Sequence, residues 1–221
     1  MPLQIITTSD GSHSLLNTEL NETYHSVHGA MRESIHVFIK NGLDHYMKQH
    51  NPKEIDILEI GFGTGLNALL TLQYAIQNNI YVRYTTLETS PLHENIWSQL
   101  NFPEGEVSRV HFRLLHETPW GTSTSLFPQF TLLKLNEPLQ DVTFPDVYHV
   151  VYFDAFAPNK QPEMWEQPLL QKVAKSMKVN GVYVTYCAKG KLKRDLRDLS
   201  FKVETIPGPP GKREMVRALK I

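Results

Sequence analysis

Cysteine is nearly absent from this chain: Cys187 is the one thiol among 221 residues. A lone thiol cannot close an internal disulfide, which excludes a disulfide-stapled scaffold. Its place in the apolar run from Gly181 to Cys187 points to a buried, reduced side chain and a cytoplasmic setting. Long apolar runs are missing too. No stretch approaches the roughly twenty residues that span a bilayer, and the N-terminus has no basic, apolar, small-residue signal, so no membrane partner is expected. Neither charge sign dominates, with 22 Lys and Arg against 23 Asp and Glu. Repeats and low-complexity tracts are absent as well. What is present, 41% hydrophobic residues over a length that suits one α/β domain, is enough for a substantial core.

The strongest chemical signal runs from Ile55 to Asn67. Apolar Ile55, Ile57, Leu58 and Ile60 read as a strand, Gly61, Gly63 and Gly65 fall at every second position, and a helical pattern starts at Leu66. Glycines permit a turn whose backbone a ligand approaches closely, at the N–H end of a helix. This spacing, preceded by Glu59, is not the Gly-x-Gly-x-x-Gly of pyrophosphate-binding folds. An acid there repels a diphosphate and welcomes an ammonium. S-adenosylmethionine carries an α-amino group, a sulfonium and no phosphate. Glu88 ends a second strand, Tyr81 to Glu88, where a carboxylate can take both ribose hydroxyls. Glu59, Gly61, Phe62, Gly63, Gly65, Asn67 and Glu88 are therefore the candidate cofactor residues, and a nicotinamide cofactor is disfavoured.

Along the chain, Leu3 to Thr8 and Ser14 to Asn17 flank hairpin-turn chemistry at Ser9 to Ser12. A helix follows with Met31, Ile35, Phe38 and Ile39 on one face, and Gly42 is expected to end or bend it. His25, His28, His36 and Glu33 gather here without metal-ligand spacing, so no metal is expected. Ser90-Pro91 reads as a cap and first helical position. The segment 104–130 reads as a surface connection, with a lid formed by Pro119 and Trp120 as the alternative. Phe130 to Leu135 is a third strand, ending at Asn136, a candidate for the adenine amino group. Tyr148 to Phe153 is a buried strand that delivers Asp154, the candidate catalytic acid, beside a transferable methyl; a plain capping role is the alternative. Pro168 to Lys178 reads as a helix stopped by Gly181, and Phe201 to Ile206 with Glu214 to Leu219 as a closing hairpin.

These elements predict a class I S-adenosylmethionine-dependent methyltransferase fold, Rossmann-like. Its sheet is mostly parallel with an antiparallel C-terminal strand, and a small N-terminal β-hairpin and helix appendage over 1–50 packs on a core of 51–221. From Lys189 onward bases outnumber acids. A charge run on a helix is commonly a solvated face, but Lys212-Arg213 falls in a turn, which suits a polyanion.

Four segments carry a resemblance: Tyr24 to Phe38, Glu59 to Asn67, Phe153 to Trp165 and Lys212 to Met215. Together they resemble the methyltransferase domain of the MnmC family over nearly the whole chain. The blocks around Asp154 and Lys212 are specific to that family, whereas the glycine turn is common to class I enzymes. The resemblance implies methylation of the aminomethyl group on a tRNA wobble uridine, giving 5-methylaminomethyl-2-thiouridine. It implies the tRNA anticodon loop as partner, and other enzymes that install the aminomethyl group. Members are often fused to a flavin-dependent oxidase, for which no residues remain here, so a stand-alone transferase is expected. The oligomeric state is left open. Phe156 and Trp165 are candidate aromatic walls for an unstacked base. Lys160, Lys212 and Arg213 are matched as phosphate binders, with Glu33 and His36 lining the site. Asn136 departs from the acid common at the adenine contact. The alternatives are a methyltransferase of a small amine or phenol, and a non-catalytic protein that holds the cofactor and RNA.

Overall fold

A computed structural model describes residues 3–221. Strands β1 (Leu3–Thr7) and β2 (His13–Asn17) form the expected hairpin, and β3 (Glu22–Thr23) pairs with β2. Asp10 organises the turn. Its carboxylate accepts from Thr8 Oγ1 at 2.8 Å and Ser12 N at 3.1 Å, and reaches across to Arg32 N at 3.0 Å. The hairpin is thereby tied to a continuous helix made of α1 (Ala30–Ser34), a π-helical segment (Ile35–Leu43) and α2 (Asp44–His50). Gly42 does not end this helix. A Cβ there would lie 2.9 Å from Val184 Cγ2 and 3.2 Å from Tyr152 Cε1, so the glycine lets the helix sit directly on the sheet.

The main sheet is built from β4 (Glu54–Ile60), β5 (Tyr81–Leu87), β6 (Thr124–Phe127), β7 (Phe130–Leu135), β8 (Tyr148–Phe153), β9 (Met177–Thr185), β10 (Phe201–Pro207) and β11 (Glu214–Lys220). Among the described residues these eight run in the order β10-β11-β9-β8-β4-β5-β7-β6. The five from β9 to β7 are parallel; β11 pairs antiparallel with β9 and β10 antiparallel with β11 at one side, and β6 pairs antiparallel with β7 at the other edge. Alternation along the central strands feeds two cores. Ile57, Tyr152 and Val184 face the π-helical segment and α3 (Leu66–Asn78), whereas Leu58, Phe153 and Tyr183 face α6 (Gln167–Lys175) and α7 (Gly190–Asp198).

Three local expectations are corrected. The helix expected at Ser90-Pro91 starts later, as α4 (Glu94–Trp97) capped by His93, because the Ser90 N–H is held by Glu88 Oε1 at 2.9 Å. Segment 104–130 is not an irregular connection: it forms α5 (Gly105–Glu117) and β6, and Trp120 packs edge-on against Phe62 instead of covering a ligand. Gly181 does not stop a helix. It lies inside β9 at a register shift, where a Cβ would meet the Lys178 carbonyl at 2.8 Å and the His149 carbonyl at 3.2 Å.

Because Gly42 seats the helix without room for a side chain, Gly42→Val should cost roughly 1–3 kcal/mol through overpacking. A lowered urea midpoint checks this, with Lys40→Ala, on the exposed side of the same helix, holding within about 0.5 kcal/mol of wild type.

Candidate active site

A cavity of about 640 Å³ opens at the carboxyl end of the parallel strands, where ligands bind in open α/β sheets. Its walls come from the glycine turn after β4, the end of β5, the segment 137–140, the loop after β8, Tyr186, and the N-terminal segment around Tyr24 to His28.

The turn is shaped by backbone constraint. Gly61, Gly63 and Gly65 have φ of +96°, +50° and +76°, in the left-handed region where side chains are strained. A Cβ on Gly61 would lie 2.8 Å from the Asp154 carbonyl oxygen, and one on Gly63 3.3 Å from the Tyr24 ring. Glu88 holds the turn from the next strand, accepting Gly63 N–H through Oε2 at 2.9 Å. It borders the cavity with Gly61, Phe62, Gly63 and Asn67. Glu59 does not border it. Alternation along β4 turns its side chain into the core, fully buried, where Oε2 accepts from Thr86 Oγ1 at 2.7 Å and Oε1 has no partner. Burial, reinforced by the Asp154 charge, pushes the Glu59 carboxyl up to about 8.

Asp154 leaves β8 at the cavity wall, and its Oδ2 accepts from Asn67 Nδ2 at 2.9 Å. Burial and then the nearby Glu33 charge raise its carboxyl to about 7, against the opposing Asn67 hydrogen bond and Lys212 charge. Glu33 is buried, with Oε2 accepting Ser26 N–H at 2.6 Å and Oε1 paired to Lys212 Nζ at 2.7 Å. Lys212 Nζ also sits 3.7 Å from the centre of the Tyr186 ring, whose hydroxyl donates to the Ala155 carbonyl at 2.8 Å. Phe156 lines the cavity edge-on to Tyr24, ring centres 5.1 Å apart, and Lys160 donates to the Leu20 carbonyl at 2.8 Å.

Besides Glu59, five candidates do not line the cavity: Gly65, which shapes the turn from outside the lining, and four residues placed elsewhere. Asn136 turns its amide to the Glu88 carbonyl at 2.7 Å, and the wall beyond it is made by Glu137 to Gln140. His36 hydrogen-bonds the Pro207 carbonyl at 2.9 Å. Trp165 is buried, donating to the Phe156 carbonyl at 2.8 Å and thus supporting the loop that carries Phe156. Arg213 is exposed beyond the rim. Conversely, Tyr24, His25, Met164 and Tyr186 line the cavity without having been singled out for it. Burial, then Glu88, pushes the Tyr24 hydroxyl up to about 12.

The residues fit S-adenosylmethionine. The glycine cradle is a space a Cβ would fill, Asn67 on the cavity wall has a buried Oδ1 without a donor, and Glu88 faces the cavity just beyond the end of β5. The cavity is both large enough and mixed enough in character for a nucleoside bearing an amino-acid chain. The fold is that of class I S-adenosylmethionine-dependent methyltransferases, and the site is shaped to hold that cofactor. Residues 130–221 match a family described as S-adenosyl-L-methionine-dependent methyltransferase.

The resemblance to the methyltransferase domain of MnmC holds along the chain. It is 26% identical, over 90% of its length, to the tRNA 5-methylaminomethyl-2-thiouridine biosynthesis bifunctional protein MnmC of Pseudoalteromonas translucida, covering 33% of that protein. It is 28% identical, over 91% of its length, to MnmC of Idiomarina loihiensis, covering 36%. The crystal structure of MnmC2 from Aquifex aeolicus matches 98% of this chain and 70% of its own, with a TM-score of 0.81 and 27% identity. The chain thus spans about a third of the length of the bifunctional relatives.

Glu59 gives the ligand-free protein a pH dependence of known sign. Its folded value near 8 exceeds the ordinary carboxylate value, so the stabilisation is complete below about pH 4.5 and is lost as pH rises toward 8. The urea midpoint should fall between pH 5 and 8, by an amount equivalent to roughly 3 kcal/mol from this group. In Glu59→Gln that slope should flatten.

Proposed function

We propose that this protein transfers a methyl group from S-adenosylmethionine to the primary amine of 5-aminomethyl(-2-thio)uridine at the tRNA wobble position, giving the 5-methylaminomethyl form. Asp154 carries the proposal: an acid on the cavity wall, beside the glycine turn, that titrates near neutrality. The printed names of the MnmC relatives, which concern 5-methylaminomethyl-2-thiouridine biosynthesis, support the substrate. A cytoplasmic location and an anticodon-loop partner belong to the same proposal.

On this reading Gly61, Phe62, Gly63, Gly65, Asn67 and Glu88 hold the cofactor, and Glu59, which does not reach the cavity, supports the turn from beneath through its bond to Thr86. The bound cofactor supplies an electrophilic methyl on a sulfonium. The protein must then present a neutral amine in line with it, and positioning of this kind is worth up to roughly 7–11 kcal/mol. A free alkylamine titrates near 10, so losing its proton at pH 7 costs about 4 kcal/mol. Asp154 orients the amine and accepts or relays that proton. Its elevated pKa narrows the gap to the amine, and the Asn67 bond fixes one of its oxygens. Glu33 and Lys212 form the adjacent charged wall, and Phe156 offers a face for an unstacked base. Outside the cavity, exposed Lys189, Arg194 and Arg213 suit the phosphates of the anticodon stem and loop.

Labelled methyl from S-adenosylmethionine should appear in tRNA whose wobble uridine carries 5-aminomethyl, and not in the 5-carboxymethylaminomethyl form. Nucleoside analysis locates the label. Labelling of neither tRNA, with the cofactor still bound, would reject the substrate and leave small amines as the next candidates. Asp154→Asn should lower the rate by about 10²–10⁴-fold with cofactor affinity nearly unchanged. The wild-type rate should fall as pH drops below about 7, where Asp154 is protonated.

A further inference from the structure

Thr64 sits in the middle of the glycine turn, almost fully buried, between Gly63 and Gly65. Two histidines from distant parts of the chain meet it. His25, from the N-terminal segment, approaches the Thr64 hydroxyl through Nε2 at 3.3 Å. On its other side His25 is fixed by Ser14, whose Oγ lies 3.3 Å from Nδ1 and accepts the His25 backbone N–H at 3.0 Å. His116, from the last turn of α5, lies 3.1 Å through Nε2 from the Thr64 carbonyl. A carbonyl only accepts, so Nε2 carries the proton. The His116 ring is stacked on Trp97 at 4.7 Å and 7°, and Phe112 and Phe62 meet it edge-on. Buried Lys134 donates to the His116 carbonyl at 2.7 Å, fixing the backbone from which the ring projects. Even the Gly65 space belongs to this arrangement, since a Cβ there would lie 2.9 Å from His116 Nε2.

We propose that His116 and His25 are positioning residues for the cofactor: together they clamp Thr64 and hold the glycine turn in its binding shape before the ligand arrives. Three glycines in five residues make this turn the segment with the most backbone freedom to lose on binding. A turn already held by hydrogen bonds at Thr64 pays less of that cost when the cofactor enters. Both rings act as neutral groups. Burial is the main cause in each case, lowering His25 to about 4 and His116 to about 3, so the clamp stays intact at working pH. The inference rests on S-adenosylmethionine as cofactor and is independent of which substrate is methylated.

The test is calorimetric titration of S-adenosylmethionine into the full chain, paired with amide hydrogen exchange of the 61–66 segment in the ligand-free protein. His116→Phe keeps an aromatic ring among Trp97, Phe112 and Phe62 but loses the donor. It should weaken binding about 3–10-fold, the size of one neutral hydrogen bond, and speed exchange across the turn. His116→Gln, whose side-chain amide can still donate to Thr64, should recover most of the affinity. Thr64→Val removes only the hydroxyl facing His25; it should weaken binding by about threefold, and serves if His116→Phe does not fold. Phe112→Leu loosens the same aromatic cluster without touching either hydrogen bond and should leave affinity within about twofold. Wild-type affinity and exchange in His116→Phe, or in Thr64→Val where the former does not fold, would overturn the clamp. So would an equal loss in Phe112→Leu, which would reduce His116 to packing. Absence of binding by the wild type would instead refute the cofactor assignment.

Discussion

A Cβ on Gly61 would lie 2.8 Å from the carbonyl oxygen of Asp154, so the ends of β4 and β8 meet with no side chain between them. The rest of the site depends on that approach. It brings the glycine turn and Asp154 to one wall, and Asn67, the second residue of α3, can then reach Asp154 Oδ2. Neighbouring parallel strands supply the remainder at the same height: β5 leads into Glu88, which takes the Gly63 N–H, and β9 leads into Tyr186. A larger residue at position 61 would push the two strand ends apart and separate the turn from the acid together.

In the buried part of the cavity, charge is kept where it is partnered. Glu33 is buried with Lys212 and the Ser26 amide as its partners. Glu59 and Asp154 share the region with fewer compensating groups, and both carboxyls rise into the neutral range. Behind the turn the same rule works on bases. Lys134, fully buried between Phe62 and Trp120, keeps a hydrogen bond and two aromatic faces yet is still lowered by burial to about 8. Function-bearing groups at this end of the sheet therefore sit close to the protonation boundary at neutral pH, which is the condition acid–base chemistry requires.

The N-terminal segment is part of this site and not only an attachment to it. Tyr24 lies over Gly63 and against Phe156, His25 reaches Thr64, and Ser26 holds Glu33. Asp10 ties the hairpin to α1, and Lys160 ties the opposite loop to Leu20. The cavity is closed on this side by contacts between parts of the chain more than a hundred residues apart.

The sequence by itself determined the local grammar: alternation and apolar runs for the strands, glycines where φ turns positive, and acids at the ends of β4, β5 and β8. Such features are decided by a few adjacent residues, so they are legible without the fold. Where local rules competed with packing, reading failed. Gly42 and Gly181 look like helix stops but are glycines because a helix and a strand bulge approach other backbone or side chains too closely for a Cβ. Helix α5 was hidden because its buried stripe is Ser108, Phe112 and Leu115, only two of them apolar, within a mostly polar segment. Of the site, the glycines, Glu88 and Asp154 were visible as residues. Only the tertiary structure decided that Glu59 turns inward, that Asn136, His36 and Trp165 spend their hydrogen bonds on backbone carbonyls, and that His116 and Lys134 gather behind the turn while His25 meets Thr64 from the cavity wall. Those partners come from different strands and helices, and their meeting is fixed by strand order and helix packing, which no short window of sequence contains.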